Sequence, residues 1–246
     1  MYQYQRTVLV CLLAFAFMAG TAAIQINAGE EAGCCISAGA SGEKTVCPMT
    51  GGAKGAMAAC EGCEAESCDG CSLCPYNLGS VVSDFTLPSG KAGSEGDFAA
   101  LTSDAAATVV IFWNQDCPYV REAKDRILRF NSDYKGKKVA MVAINSGEKV
   151  GDEQIHEYAE SFPLPLLIDR DGAVGKRFSA TKTPQAYVLD ENKTLVYRGA
   201  FDSGKNRTES GELERYVQNA VDSLLAGEKI AKAETKAFGC GITYPQ

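Results

Sequence analysis

The sequence predicts an α/β domain whose central mixed sheet carries helices on both faces, and three observations support this class. Short apolar, β-rich runs alternate with amphipathic stretches from about residue 80 onward. This β-α-β-α order is followed by a β-hairpin and a closing helix, which is typical of a sheet covered on both sides. The composition, 46% hydrophobic and 22% charged, is that of an ordinary globular protein. We expect this domain to occupy residues 80–232.

The predicted elements follow one another with short connections. The first strand, 81–87, ends in a Pro-Ser-Gly turn. The run 108–113, TVVIFW, is almost entirely apolar and rich in β-forming residues, as expected for a strand at the centre of a sheet. Pro118 begins a helix that extends to about Tyr134, because proline is favoured in the first helical turn. The later predicted elements are a strand at 138–144, a helix at 152–161, strands at 164–169, 186–189 and 194–197, and a helix at 209–226.

The first 23 residues have the pattern of an export signal. Arg6 precedes an apolar run over 8–18, and small residues over 19–23 offer a cleavage site. A membrane anchor over residues 7–24 is the alternative, because this stretch is only somewhat shorter than a spanning helix. The sequence therefore predicts an exported protein, periplasmic or extracellular, that contacts the membrane only if the signal stays uncleaved.

Residues 24–79 form a cysteine-rich, low-complexity arm. Eight of the 11 cysteines lie between residues 34 and 74, a segment without aromatic residues. Such a segment cannot bury a core, so the arm is either disordered or stapled by its cysteines. Disulfides are one interpretation, since exported thiols oxidise readily. Short spacings also let several thiolates converge on zinc or copper. The candidate metal ligands are Cys60, Cys63, Cys68, Cys71 and Cys74.

Charge excludes one broad class of function. The chain has 24 basic and 31 acidic residues, a formal net charge of −7. General nucleic-acid binding needs a basic surface for the phosphates, so no nucleic-acid partner is expected.

Cys117 is the strongest candidate for a reactive group. It lies between the apolar strand and the helix that Pro118 begins. At a helix N-terminus, unpaired N–H groups and the helix dipole stabilise a thiolate, which is a nucleophile at neutral pH. The alternative is a small buried apolar residue, but the strand-to-helix junction favours a reactive thiol.

The residues around Cys117 resemble a known family. The stretch 112–120, FWNQDCPYV, resembles the active-site turn of the thioredoxin superfamily. Thr183-Pro184 before a strand resembles the cis-proline loop that faces the active cysteine in that fold. The stretch 83–87, SDFTL, resembles the opening strand of the alkyl hydroperoxide reductase and thiol-specific antioxidant group. The motifs CPYV at 117–120, VYRG at 196–199 and GCGI at 239–242 are similar to a peroxiredoxin-like bacterial subgroup with a single-cysteine motif.

This resemblance implies a thioredoxin-like fold and a thiol-dependent oxidoreductase or antioxidant activity. Cys117 would act on peroxide or protein disulfide substrates, an external thiol would serve as reductant, and no cofactor would be required. Pro184 would shape the groove for a partner. The chain departs from thioredoxin-type enzymes at Val120, where they carry a second cysteine. It departs from peroxiredoxins at Asn114 and Val110, where they carry Thr and Pro.

Two further residues are candidates for the site. Cys240, in the predicted tail 233–246, could resolve a Cys117 sulfenic acid or mixed disulfide, or could be a surface thiol paired with the arm. Arg198 could hold the thiolate by charge, and is a better candidate than Arg121, which we expect to point outward from the helix.

A function of a different class also fits the cysteine pattern. The arm could handle copper or zinc, with the thioredoxin-like body as a docking domain. Thioredoxin-fold copper chaperones resemble this arrangement in outline, but they carry a Cys-x-x-x-Cys pair and a distal His that this chain lacks.

Overall fold

A computed structural model of the chain describes residues 74–147, 150–204 and 212–245. The predicted export signal and almost all of the predicted arm lie outside these ranges. The strands are β1 (Thr86–Pro88), β2 (Glu95–Asp97), β3 (Ala107–Phe112), β4 (Val139–Ser146), β5 (Leu166–Asp169), β6 (Lys182–Thr183), β7 (Gln185–Asp190), β8 (Leu195–Gly199) and β9 (Cys240–Gly241). The helices are α1 (Phe98–Thr102), α2 (Pro118–Asp133), α3 (Asp152–Ser161), α4 (Ala173–Arg177) and α5 (Tyr216–Leu225).

A five-stranded mixed sheet forms the centre of the fold, with the strand order β5-β4-β3-β7-β8. Strands β3, β4 and β5 are parallel, whereas β7 is antiparallel to β3 and to β8. All six residues of β3 are buried, because this strand is central and both of its faces are covered. The predicted α/β class with a mixed sheet is confirmed.

Each face of the sheet has its own hydrophobic core. Helices α2, α3 and α5 cover one face, where the buried residues of α2 recur at the predicted helical spacing. Helices α1 and α4 cover the other face. There the rings of Phe112, Phe178 and Tyr187 pack edge to face, with centroids 4.9 to 5.8 Å apart.

The closing helix was predicted from residue 209, but α5 begins at Tyr216. Residues 205–211 lie outside the described ranges, and 212–215 are not helical. Here the Ser203 amide donates to the Glu214 carbonyl at 2.9 Å, and the Glu214 amide donates to Ser203 Oγ at 2.9 Å. Because these bonds pair the chain with the loop after β8, the apolar pattern before Tyr216 does not become helical.

The folded body begins earlier than the predicted boundary at residue 80. Tyr76 is only 4% exposed, and its ring packs against Phe178 with centroids 5.0 Å apart. The Arg177 guanidinium lies 4.2 Å from the centroid of the same ring. Tyr76 therefore belongs to the core of the domain, although the sequence placed it in the arm.

The predicted tail packs along the body of the domain, and residues 233–245 are called the strap below. Its Thr235 amide donates to the Arg198 carbonyl, β9 pairs antiparallel with β6, and the Tyr244 hydroxyl donates to the Ala180 carbonyl at 2.7 Å. The Tyr244 ring packs against Gly172 so closely that a Cβ atom at Gly172 would lie 2.2 Å from Cδ1 of the ring. The strap is thus attached on both sides of β9.

No helix in the described ranges is both long enough and apolar enough to cross a membrane.

Candidate active site

Cys117 is the N-cap residue of α2, and Pro118 occupies the first helical turn as predicted. The Cys117 amide donates to the Asn114 carbonyl at 3.0 Å, which closes the turn between β3 and α2. The thiol lies at the positive end of the helix and is 2% exposed. The local sequence therefore places a buried sulfur where a thiolate is stabilised.

Cys240 lies directly against Cys117, although 123 residues separate them in the chain. The two Sγ atoms are 2.7 Å apart and share a hydrogen bond. Cys240 is held there by the β6–β9 ladder, in which its backbone pairs with Thr183. Because a disulfide has its sulfurs about 2.05 Å apart, closure requires a movement of less than about 1 Å.

The surroundings of Cys117 act on its pKa in opposite directions. Burial raises the pKa of the thiol, whereas the Cys240 and Thr183 side chains and the Val120 amide lower it. These polar groups outweigh burial, and the pKa of Cys117 lies below its ordinary value. A larger fraction of Cys117 is therefore thiolate at neutral pH than for an ordinary cysteine.

This shift predicts the pH dependence of alkylation. Only the thiolate reacts, so the rate of Cys117 alkylation should reach half its plateau at a lower pH than the alkylation rate of an ordinary cysteine does. Replacing Cys240 by Ala removes the thiol that donates to Cys117, and should move this midpoint to higher pH. Iodoacetamide labelling of the reduced protein, followed by peptide mass, measures both. An unshifted midpoint in the Ala variant would contradict the role of Cys240.

Pro184 lies beside the sulfur pair, and the Thr183–Pro184 peptide bond is cis. Together with Tyr119 and Phe238 it lines a small, narrow groove next to the site. The Tyr119 and Phe238 rings meet edge to face, with centroids 6.2 Å apart. The structure therefore brings Cys117, Cys240 and Pro184 together, as the sequence proposed.

A partly buried ion pair forms the polar side of the same groove. Arg126 Nε lies 2.6 Å from Asp202 Oδ2, and the Asp202 side chain is 4% exposed. The hydrogen bond that Arg126 donates to the Asp202 carboxylate raises the pKa of the guanidinium. The charge of the Arg126 guanidinium is thus balanced locally by Asp202. No sequence motif pointed to Arg126 as part of the site.

Arg198 does not join this group, which corrects the prediction that it holds the thiolate. Its backbone pairs with Tyr187, whose side chain belongs to the core opposite the one that contains Cys117. Paired residues on adjacent strands place their side chains on the same face. The Arg198 guanidinium instead forms an ion pair with Glu234 of the strap, with Nε and Oε1 2.9 Å apart.

The structure does not describe the proposed metal site of the arm. Cys60, Cys63, Cys68 and Cys71 lie outside the described residues, and Cys74 lies at their edge. In the part of the chain that the structure describes, no group of three or more His, Cys, Asp and Glu side chains could hold a metal ion.

Gly239 controls how closely the strap approaches the site. Its φ is +137°, and a Cβ there would lie 2.1 Å from the Thr183 carbonyl oxygen. We expect Gly239→Ala to displace β9 and slow Cys117–Cys240 disulfide closure by about tenfold or more, because proximity supplies the rate. Gly241→Ala is the matched control, since no atom lies within 4 Å of its Cβ position. Rapid-quench mass analysis after oxidation measures closure, and equal rates in both variants would refute this role of Gly239.

A thioredoxin-like sheet, a buried thiol at a helix N-terminus and a facing cis-proline loop together define a thiol redox protein. Residues 78–198 match the AhpC/TSA family. Over these residues the chain has the sequence and the fold of a redoxin of the thioredoxin superfamily. The family match ends at residue 198, so the position of Cys240 is a feature established by the structure of this chain.

Two solved structures are similar to most of the described body. One is a hypothetical protein from Sinorhizobium meliloti, with 29% identity and a TM-score of 0.60, covering 69% of this chain and 95% of its own. The other is an uncharacterized conserved protein from Geobacillus kaustophilus, with 29% identity and a TM-score of 0.62, covering 69% of this chain and 93% of its own. Among curated proteins, none matches the chain.

Proposed function

We propose that this protein is a two-cysteine peroxide reductase. The Cys117 thiolate attacks one peroxide oxygen, the O–O bond breaks, and Cys117 becomes a sulfenic acid while the other oxygen leaves and takes up a proton. Cys240 then attacks the Cys117 sulfur, which forms the Cys117–Cys240 disulfide and releases water. An external thiol restores both thiols by exchange. The observation that carries this proposal is the 2.7 Å separation of the two Sγ atoms.

The burial of Cys117 favours a small oxidising substrate. The thiol is 2% exposed, and Cys240 of the strap lies directly against it. A hydroperoxide can reach the sulfur through a small opening, whereas a protein disulfide needs the strap to move away. The groove at Pro184, Tyr119 and Phe238 would then serve the external thiol partner rather than the oxidant.

Intact-mass analysis during a hydrogen peroxide titration tests the proposal. The reduced, chelator-treated protein should lose two mass units and gain a Cys117–Cys240 disulfide at one equivalent. Cys240→Ser should stop at a sulfenic acid on Cys117, and Cys117→Ser should form neither product. If peroxide leaves Cys117 unchanged while a small disulfide such as oxidised glutathione reacts with it, the protein is a thiol–disulfide oxidoreductase instead.

Two sequence-based expectations complete the proposal. Export is supported by the pattern of residues 1–23, and is tested by comparing the N-terminus and the cell fraction of the expressed protein with those of an Arg6→Glu variant. Zinc or copper binding by the arm is tested by metal analysis of the full chain purified under reducing conditions. Stoichiometric metal that is lost with Cys60, Cys63, Cys68 and Cys71 would make metal handling a second activity.

A further inference from the structure

Thr183 is adjacent to both reactive cysteines. Its carbonyl oxygen is 3.1 Å from the Cys117 Sγ. In the β6–β9 ladder its Cα is paired directly with that of Cys240. Directly paired residues of antiparallel strands place their side chains on the same face. The Thr183 side chain therefore shares a face with Cys240, whose sulfur contacts Cys117.

The Thr183 hydroxyl is buried and is available to form a hydrogen bond. The residue is 5% exposed, and its Oγ1 makes no hydrogen bond of normal geometry within the described residues. Buried hydroxyls in proteins nearly always have such a partner, so a buried exception beside two reactive sulfurs indicates a group that the reaction itself engages. The Thr183 side chain also acts on Cys117, because it lowers the pKa of the Cys117 thiol.

Asn114 has no hydroxyl, and its side-chain carbonyl accepts hydrogen bonds but cannot donate one. It occupies the position at which peroxiredoxins carry a threonine, three residues before the reactive cysteine. Its Oδ1 accepts from the Asp116 amide at 2.8 Å, which stabilises the turn instead. The hydroxyl that residue 114 lacks is present instead at Thr183, whose carbonyl oxygen lies 3.1 Å from the same sulfur.

We propose that the Thr183 hydroxyl is a catalytic hydrogen-bond donor to the oxygen that Cys117 acquires from peroxide; this rests on the proposed function. When Cys117 is a sulfenic acid, Thr183 Oγ1 donates to the sulfur-bound oxygen. As the Cys240 sulfur bonds to the Cys117 sulfur, the S–O bond breaks and the oxygen departs with its electron pair. That oxygen takes the proton of the Cys240 thiol and leaves as water, while the threonine keeps its own proton.

Two substitutions separate the hydroxyl from the shape of the side chain. Thr183→Val is nearly isosteric and removes the hydroxyl, whereas Thr183→Ser keeps it. After a peroxide pulse, the Val variant should convert sulfenic acid to disulfide about tenfold more slowly, and the Ser variant within about threefold of wild type. Thr181→Val, two residues away and exposed, is the matched control and should not change the rate.

Two further measurements distinguish this role from a structural one. Diamide closes the disulfide without forming a sulfenic acid, so at a pH above all thiol midpoints the Val variant should close at the wild-type rate. The alkylation midpoint of Cys117 should rise in Thr183→Val and be restored in Thr183→Ser. Equal sulfenic acid lifetimes and midpoints in the two variants would overturn the proposal. If the wild type forms no sulfenic acid, the proposed function itself fails, while the alkylation midpoints still report whether the hydroxyl acts on Cys117.

Discussion

Cys117→Ser is expected to reduce peroxide consumption by at least about 10³-fold, because the serine hydroxyl stays protonated at the pH at which the thiolate attacks. Cys117 is the cysteine at the N-terminus of α2, and Cys240 has no helix behind it. Peroxide loss is measured with dithiothreitol as reductant, and circular dichroism confirms that the variant folds.

Cys240→Ser is the informative comparison. It should still consume one equivalent of peroxide as fast as the wild type, and then depend on an external thiol for each further turnover. If Cys240→Ser loses the first equivalent and Cys117→Ser keeps it, the roles of the two cysteines are reversed.

The oxidised protein should be considerably more stable than the reduced protein. A Cys117–Cys240 disulfide would close a loop spanning 123 residues of sequence, which restricts the unfolded chain far more than the folded one. We expect a gain of about 2–4 kcal/mol in the free energy of unfolding. For a domain of this size, that corresponds to a rise in Tm of roughly 5–15 °C.

Thermal unfolding followed by circular dichroism, after diamide oxidation and in excess dithiothreitol, measures this difference. The Cys240→Ser variant cannot form the Cys117–Cys240 disulfide, so its Tm should be the same after diamide oxidation and in dithiothreitol. An equal redox difference in that variant would assign the effect to cysteines of the arm.

The elements with a clear local signal could be predicted from the sequence. Strand β3 is apolar except for Thr108, and Pro118 marks the start of α2, so the position of Cys117 between them followed directly. The helix at Asp152–Ser161 was predicted with its observed bounds, because its buried residues have helical spacing. The positions of these strands and helices depend mainly on residues close together in the sequence, so a local pattern is enough to predict them.

Features that depend on long-range pairing could not be predicted in the same way. The face on which Arg198 lies follows from its register with Tyr187, which no local pattern contains. The two-residue strands β6 and β9 are too short for any periodicity, yet their pairing brings Thr183 and Cys240 to the site. A Gly-Cys-Gly motif suggested a functional tail, but only the packing shows where its sulfur lies.

The attachment of the strap on both sides of Cys240 has a consequence for oxidative damage. Thr235 upstream receives a hydrogen bond from the Ala200 amide at 3.0 Å, and Tyr244 downstream is held by the Ala180 carbonyl. In the proposed reaction, Cys240 thus meets the sulfenic acid at an effective concentration far above that of any dissolved oxidant. We therefore expect disulfide closure to outpace a second encounter with peroxide and to protect Cys117 from irreversible conversion to sulfinic acid. A protein built in this way tolerates bursts of oxidant that would inactivate an enzyme whose second thiol must first travel to the site.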